Sequence, residues 1–179
     1  MLNPSTSLLI ITDIQGKLAA SMYDRESLYK NCGIMIEGCR ILDIPVLWIE
    51  QYPQGLGPTV PEIASHLTGL APIPKKTFSS LRDPGALARF ESFKRTQALL
   101  IGIEAHVCIY QTAMDLLARG IETYAVADAV SSRTKENRKI GLKSIERAGG
   151  RITSVEMALF EMLEIAEGDR FKQINRLVK

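Results

Sequence analysis

Three residues whose side chains can carry covalent catalysis, Asp13, Lys76 and Cys108, stand close to short apolar runs of the sequence. Asp13 ends the run LLIITD, Lys76 lies in the segment IPKKTFSS, and Cys108 lies in GIEAHVCIYQTA, just after the run QALLI. A thiolate is a strong nucleophile, a carboxylate can take the proton of a thiol, and an ammonium group can stabilise both negative charges. Together, these residue types suit nucleophilic attack on a carbonyl carbon.

Each of the three residues also has a structural explanation. The Asp13 carboxylate could cap the helix that follows it. Lys75 and Lys76 could both point into solvent, and strand alternation lets only one of them face a cleft; we assign that place to Lys76. Cys108 could be a small buried apolar residue, as most free cysteines are. Against this, Cys108 lies at the start of a helical pattern, where a helix N-terminus favours thiolate and offers N–H groups to an oxyanion.

The two histidines do not extend this set of residues. His106 is only two residues from Cys108, whereas catalytic cysteine and histidine partners are usually distant in sequence, so we interpret His106 as structural. His66 lies in a helical surface pattern and receives no role. Because no third metal ligand clusters with either histidine, we expect no zinc or iron site and no cofactor.

Composition and charge narrow the class of protein. The chain has 179 residues, of which 46% are hydrophobic and 23% charged, so we expect residues 1–179 to form one globular domain. The net charge of +2 arises from 22 basic and 20 acidic residues, and no basic stripe is interleaved with aromatic residues. We therefore expect a small-molecule substrate rather than nucleic acid, and a homo-oligomer.

The sequence also predicts the cellular compartment of the protein. No run approaches the ~20 apolar residues that a membrane helix needs, and the residues before the apolar run at Leu8 lack the positive charge of a signal peptide. The three cysteines, Cys32, Cys39 and Cys108, are odd in number and lack the spacing of a metal site. We expect no membrane association and a reduced, cytoplasmic location.

Short apolar runs alternate with longer amphipathic stretches along the chain. The alternation predicts parallel strands joined by helical crossovers, with helices on both faces of the sheet. Ligands of such sheets bind beyond the carboxyl ends of the strands, where the strand order reverses. The predicted strands are Leu8 to Asp13, Pro45 to Glu50, Ile73 to Lys76, Gln97 to Gly102, Thr123 to Ala127 and Arg151 to Ser154. The predicted helices are Glu26 to Leu42, Ile109 to Ala118, Lys135 to Ala148 and Ser154 to Ile165.

Several motifs resemble one enzyme family over essentially the whole chain. The segments LLIITDIQ, KKTFSS and GIEAHVCIYQTAMDLLARG resemble the isochorismatase-like cysteine hydrolases. The segments EQYPQGLGPTVPEI, VADAVSSRT and FKQINRLVK are similar to the isochorismatase-domain-containing subgroup. The resemblance implies a three-layer α/β/α fold whose six-stranded parallel sheet has the order 3-2-1-4-5-6. It also implies an Asp-Lys-Cys catalytic triad, which maps onto Asp13, Lys76 and Cys108.

The resemblance implies two further features of the segment before the cysteine. Family members have a cis peptide bond there, which maps onto Glu104–Ala105. Backbone N–H groups that face the cleft would form an oxyanion hole, and these map onto Glu104 and Cys108. This would explain why the chain passes from a buried strand through Glu, Ala and His before it reaches the cysteine.

Departures from the family pattern limit the activity. Family nicotinamidases bind a metal through an Asp-x-His motif after the second strand, where this chain has Glu50, Gln51 and Tyr52. Isochorismatases that cleave a vinyl ether lack the cysteine, so Cys108 argues against that reaction. Many relatives have an aromatic residue where this chain has Lys17-Leu18, which suggests a different substrate pocket.

These observations predict a cysteine hydrolase that acts on a small amide or a related C–N substrate through a thioester intermediate. Gln15 and Gln51 are candidates for polar residues of the substrate pocket. The alternative is a catalytically idle family member that serves as an interaction scaffold. A redox role for Cys108 is a third possibility, although no resolving cysteine lies nearby in sequence.

Overall fold

Six parallel strands form one sheet in the computed structural model, which describes residues 1–179. The strands are β1 (Ser7–Thr12), β2 (Val46–Gln51), β3 (Ile73–Lys75), β4 (Gln97–Ile103), β5 (Glu122–Ser131) and β6 (Arg151–Thr153). Their order in the sheet is β3-β2-β1-β4-β5-β6, which confirms the predicted order.

Helices cover both faces of this sheet, so the predicted three-layer architecture is also confirmed. The helices are α1 (Gly16–Ala20), α2 (Arg25–Ile41), α3 (Pro53–Leu56), α4 (Pro61–Ala64), α5 (Pro84–Ser92), α6 (Tyr110–Ala118), α7 (Lys135–Arg147), α8 (Val155–Leu163) and α9 (Gly168–Leu177). Helices α2, α8 and α9 lie on one face, and α5, α6 and α7 lie on the other. None of the helices is long and apolar enough to cross a membrane.

The two central strands, β1 and β4, are buried along their whole length. Side chains alternate across the sheet, so Leu9 and Ile11 of β1 join the core under α2, whereas Leu8 and Ile10 join the core under α5 and α6. Apolar residues on both faces are what a strand covered on both sides requires. The carboxyl ends of these strands are therefore held rigidly by packing.

A glycine permits the closest approach between β1 and β4. Gly102 of β4 pairs with Thr12 of β1 and has a φ of +119°. A Cβ atom at position 102 would lie 2.1 Å from the carbonyl oxygen of Thr12, so no other residue fits without movement of the backbone. Asp13 and the segment after β4 therefore start from adjacent positions at the carboxyl edge of the sheet.

The segment after β4 contains a cis peptide bond between Ile103 and Glu104. The prediction of a cis bond at Glu104–Ala105 is therefore wrong by one residue. Cis bonds are normally marked by proline, and no proline stands in this segment to show its position. Residues Ala105–Ile109 then form a π-helical turn, the Cys108 turn, in which the N–H of Ile109 donates to the carbonyl of Glu104 over 3.2 Å.

Candidate active site

Asp13 lies directly after β1, in a left-handed conformation with a φ of 61°, and only 2% of its surface is exposed. Its side chain does not cap α1. The N-cap position of that helix is Gln15, which forms no side-chain capping hydrogen bond. Carboxylate oxygen Oδ2 instead accepts a hydrogen bond from Lys75 Nζ over 2.8 Å. The other oxygen, Oδ1, is buried and has no hydrogen-bond partner. Asp13 therefore keeps one carboxylate oxygen available for a proton.

Lys75, and not Lys76, is the lysine of this site. The ammonium group of Lys75 is buried between Asp13 Oδ2 at 2.8 Å and Gln51 Oε1 at 2.5 Å. Lys76 is exposed, and its Nζ lies 5.8 Å from the centre of the Tyr52 ring. The prediction that Lys76 is the triad lysine is therefore wrong, although strand alternation does separate the two lysines as expected.

The alternation of side chains along β3 explains which lysine turns inward. Ile73 and Lys75 lie on the partly covered side of this edge strand, whereas Pro74 and Lys76 are exposed. Position 75 shares its face with Ile73 because it lies two residues further along the strand. The apolar residue at 73 and the proline at 74 were the signals that could have identified Lys75 from the sequence.

Cys108 lies next to this ion pair and has an exposed fraction of 7%. Burial and the negative charge of Asp13 raise the pKa of its thiol to about 12, although the positive charge of Lys75 and the backbone N–H of Glu104 oppose this change. Burial and Asp13 therefore outweigh the groups that favour thiolate at this position. The resting residue is a neutral thiol.

Burial also raises the pKa of Asp13, and its effect exceeds the opposing effect of Lys75. A carboxylate whose pKa is raised is a stronger base than an exposed aspartate. If the thiol proton moves to Asp13, the negative charge moves from oxygen to sulfur while the Lys75 ammonium remains beside both groups. The arrangement can therefore transfer a proton without creating an uncompensated charge.

Glu104 contributes both its main chain and its side chain to the surroundings of the cysteine. Its main-chain N–H lowers the pKa of the Cys108 thiol. Its carboxylate oxygen Oε2 accepts from Arg133 Nε over 3.2 Å, and His106 Nδ1 lies 3.8 Å away. His106 Nδ1 also lies 3.1 Å from Ser132 Oγ, so His106 contacts the connection after β5, in keeping with the structural role assigned to it. An oxyanion hole formed by the N–H groups of Glu104 and Cys108 stays a prediction.

Gln15 is completely buried and uses its whole amide group within the protein. Nε2 donates to the carbonyls of Gln51 and Gly57 over 3.1 and 2.6 Å, and Oε1 accepts from the N–H of Gln51 over 2.6 Å. The prediction that Gln15 lines the substrate pocket is therefore wrong: it braces the end of β2 instead. Gln51 is half-buried, and its side chain accepts a hydrogen bond from Lys75; its predicted role in the substrate pocket stays a prediction.

The region after β2, where family nicotinamidases hold a metal, is occupied by internal contacts. The buried carboxylate of Glu50 accepts from the N–H and the hydroxyl of Thr59 over 2.7 and 2.8 Å. No group of three or more His, Cys, Asp or Glu side chains in the protein is placed to hold a metal ion. The residues near the site therefore do not form a set of metal ligands.

Comparison with known proteins agrees with this architecture. A family model described as the isochorismatase domain matches residues 7–157. Isochorismatase domain-containing protein 2 of Danio rerio is 37% identical over 99% of this chain and 89% of that protein. The secreted isochorismatase effector Isc1 of Phytophthora sojae is 34% identical over 98% of this chain and 86% of that protein. Because that relative is named as secreted, the cytoplasmic location of this chain stays a prediction.

A solved structure gives the same result for the fold. The structure of MAR1 ribonuclease from Caenorhabditis elegans superimposes with a TM-score of 0.91 and 36% sequence identity. The superposition covers 99% of this chain and 91% of that chain.

Proposed function

Because the chain belongs to the isochorismatase family, whose members are generally hydrolases, we propose that it is a cysteine hydrolase of small amides or related C–N compounds. The nucleophile in this proposal is Cys108, the base is Asp13, and Lys75 stabilises negative charge on both. Lys75 replaces the Lys76 of the sequence-based prediction.

One observation carries this proposal. The buried Lys75–Asp13 ion pair, with an N–O distance of 2.8 Å, leaves Asp13 Oδ1 without a partner beside a cysteine that lies at the carboxyl edge of the sheet. Burying an ion pair is costly, and few buried polar atoms of a native fold lack a hydrogen-bond partner. An unpaired carboxylate oxygen beside a thiol is instead what a proton transfer requires.

The first half of the reaction forms a thioester. Asp13 takes the proton of Cys108, and the thiolate attacks the carbonyl carbon of the substrate. The oxygen of the tetrahedral intermediate would accept from the N–H groups of Glu104 and Cys108. As the C–N bond breaks, protonated Asp13 gives its proton to the leaving nitrogen, which departs as an amine or ammonia.

The second half of the reaction restores the enzyme. Asp13, again a carboxylate, takes a proton from water while the water oxygen attacks the thioester carbon. The C–S bond breaks, the acid product forms, and the proton on Asp13 returns to the Cys108 sulfur. The Lys75 ammonium keeps its proton throughout, because its role is to balance the negative charge that alternates between Asp13 and Cys108.

The charge and burial of the site favour a small, neutral substrate. The thiol, the carboxylate and the ammonium together carry no net charge, so nothing in this trio attracts an ion. Only 7% of Cys108 is exposed, which leaves a narrow approach to the sulfur. Primary amides, ureas and carbamoyl compounds meet both conditions.

The test is a screen of such compounds with the wild-type protein, Cys108→Ala and the matched control Cys32→Ala. Single-stranded RNA belongs in the screen because the Caenorhabditis elegans relative is named a ribonuclease. We expect hydrolysis of at least one amide or carbamoyl compound by the wild type and by Cys32→Ala, and a loss of several orders of magnitude in Cys108→Ala. A trapped acyl group on Cys108, seen by mass spectrometry, would support the thioester.

Three outcomes would count against the proposal. Activity retained in Cys108→Ala would exclude covalent catalysis by this residue. Cleavage of RNA without cleavage of any C–N compound would move the activity to a different reaction class. A protein that hydrolyses nothing in the screen would favour the catalytically idle scaffold.

A further inference from the structure

The side chain of Gln51 lies between the two lysines at the end of β3. Its Oε1 accepts from Lys75 Nζ over 2.5 Å, and its Nε2 donates to the carbonyl oxygen of Lys76 over 2.9 Å. A carbonyl oxygen can only accept and an ammonium can only donate, so these two partners allow one orientation of the amide group. The amide oxygen must face the Lys75 ammonium.

Gln51 is itself held in place on all sides. Its N–H donates to Gln15 Oε1 over 2.6 Å, and its carbonyl accepts from Gln15 Nε2 over 3.1 Å. Its backbone also pairs with Lys75 across β2 and β3. The amide oxygen is thus a fixed point relative to β1, from which Gln15 and Asp13 both follow.

A lysine with a single anchor would not be fixed. The side chain of lysine is long and flexible, and its ammonium has three N–H groups that can rotate towards any acceptor. Asp13 alone would draw the ammonium of Lys75 to the carboxylate and away from the sulfur. The second acceptor, Gln51 Oε1, limits the ammonium to positions within hydrogen-bond distance of both oxygens.

We propose that Gln51 is a positioning residue, whose amide oxygen holds the Lys75 ammonium where it can stabilise the Cys108 thiolate. This inference rests on the proposed function and adds to it a reason for the residue type. An amide accepts the hydrogen bond but carries no charge, so the positive charge of Lys75 remains available to the thiolate. A carboxylate at the same place would bind Lys75 more strongly and neutralise it.

The substitution Gln51→Glu separates this role from a structural one. Glutamate has the size of glutamine and keeps an oxygen acceptor for Lys75, although it loses the donor to the Lys76 carbonyl, a loss that Gln51→Met shares. The added negative charge, however, disfavours the thiolate. We expect the alkylation of Cys108 by iodoacetamide to be about tenfold slower at any pH between 7 and 9, which corresponds to a shift of its pH profile by one unit.

Two further variants complete the experiment. Gln173→Glu places the same charge on an exposed position of α9, outside the cavity that Lys75 lines, and should leave the alkylation profile where it is in the wild type. Gln51→Met removes the acceptor without adding a charge, and should slow alkylation by a few fold. With a substrate from the screen, both Gln51 variants should lower kcat and leave KM within a factor of two.

Lys75→Met distinguishes failure of this inference from failure of the triad. If Lys75→Met slows alkylation of Cys108 while Gln51→Glu and Gln51→Met match the wild type, Gln51 does not position the lysine. If Lys75→Met also leaves the profile unchanged, Lys75 does not serve the cysteine and the proposed triad is wrong. Melting temperatures of all variants show whether each remains folded during the measurement.

Discussion

Cys32 on α2 and Cys108 after β4 are both buried thiols against a main-chain group, but the group differs. The thiol of Cys32 donates to the carbonyl oxygen of Ala129 over 3.3 Å. The thiol of Cys108 lies beside the carboxylate of Asp13, which raises its pKa, and near the main-chain N–H of Glu104, which lowers it. A carbonyl stabilises the protonated thiol, whereas an N–H stabilises the thiolate. The main-chain group near each sulfur therefore favours the neutral thiol in Cys32 and the thiolate in Cys108.

Burial alone does not make this distinction. Burial raises the pKa of both thiols, and so does a nearby carboxylate, that of Asp128 for Cys32 and that of Asp13 for Cys108. Only Cys108 has a positive charge, that of Lys75, to oppose the rise. A raised pKa therefore does not mean an inert thiol: what matters is whether charge compensation is in place once the proton leaves.

The largest expected effect is a difference in alkylation rate between the two regions. Cys108 should react with iodoacetamide on the order of a hundredfold faster than Cys32 or Cys39, because both of these are completely buried and react only after a local opening of the fold. Peptide mass spectrometry of the native protein measures the three rates. In denaturant the rates should become equal, and equal rates in the native protein would remove the contrast.

The next effect concerns the carboxylates beside the two thiols. Asp13 raises the pKa of Cys108, so Asp13→Asn leaves Lys75 unopposed, lowers that pKa and increases the thiolate fraction. Alkylation of Cys108 at pH 8 should become about tenfold faster, since one pKa unit is a factor of ten, while turnover is lost with the base. A variant that is slower in both assays would show that Asp13 does not act on the thiol.

The matched control is Asp128→Asn, which removes the carboxylate near Cys32 and should not change alkylation of Cys108.

The pH dependence of alkylation in the wild type shows in which direction the pKa of the Cys108 thiol is shifted. Because the thiol pKa is raised to about 12, the alkylation rate should rise about tenfold per pH unit from 7 to 9 without levelling off. An ordinary cysteine, with a pKa near 8.5, would begin to level off in this range.

The smallest expected effect is a difference in Tm between alanine substitutions at two glycines that lie in helix contacts. A Cβ atom at Gly141 of α7 would lie 2.4 Å from the carbonyl oxygen of Ala105 in the Cys108 turn, whereas one at Gly38 of α2 would meet the side chain of Leu159 at the same distance. A side chain can move aside more easily than a backbone. Gly141→Ala should therefore lower Tm by roughly 5 °C, for a cost of ~2 kcal/mol, and also change the Cys108 alkylation rate.

Gly38→Ala should be close to neutral in Tm, because relief of the overlap by Leu159 is offset by the better helix propensity of alanine. It should leave the reactivity of Cys108 untouched. If the two variants behave alike in both measurements, the packing of α7 does not set the position of the Cys108 turn.

Much of the fold follows from local patterns. The buried strands β1 and β4 are continuous apolar runs, and their predicted bounds agree with the structure within one residue. Strand β5 extends from Glu122 to Ser131, well beyond the predicted Ala127, because β4 and β5 change register and pair again at Gly102 with Val130. Polar Asp128 hid this continuation, since tertiary pairing and not side-chain pattern maintains the strand there.

Five helices were not predicted: the short α1, α3 and α4, and the longer α5 and α9. Helix α5 begins at Pro84 after Asp83, whose carboxylate caps the N–H groups of Gly85 and Ala86, so its start signal was present in the sequence. Helix α9 carries Phe171, Ile174 and Leu177 on one face at helical spacing, so an amphipathic signal was present in the sequence here too.

The site was predictable in its residue types but not in its contacts. The positions of Asp13 and Cys108 follow from the strand ends. The choice between Lys75 and Lys76 depends on which of them shares a face of β3 with Ile73. The hydrogen-bond partners could not be predicted from the sequence, because the residue type does not distinguish a buried structural glutamine such as Gln15 from a pocket residue. These partners arise from the meeting of strands that are distant in sequence.

The brace at Gln15 also bears on how such a protein can diversify. The side-chain amide of Gln15 donates to the carbonyl oxygens of Gln51, at the end of β2, and of Gly57, after the following loop. Both ends of the segment 52–56 are therefore fixed. Insertions or exchanges within that stretch would reshape the rim of the site without shifting the groups that carry the chemistry. A library confined to these residues is therefore a natural starting point for directed evolution of new substrate preferences on an unchanged catalytic framework.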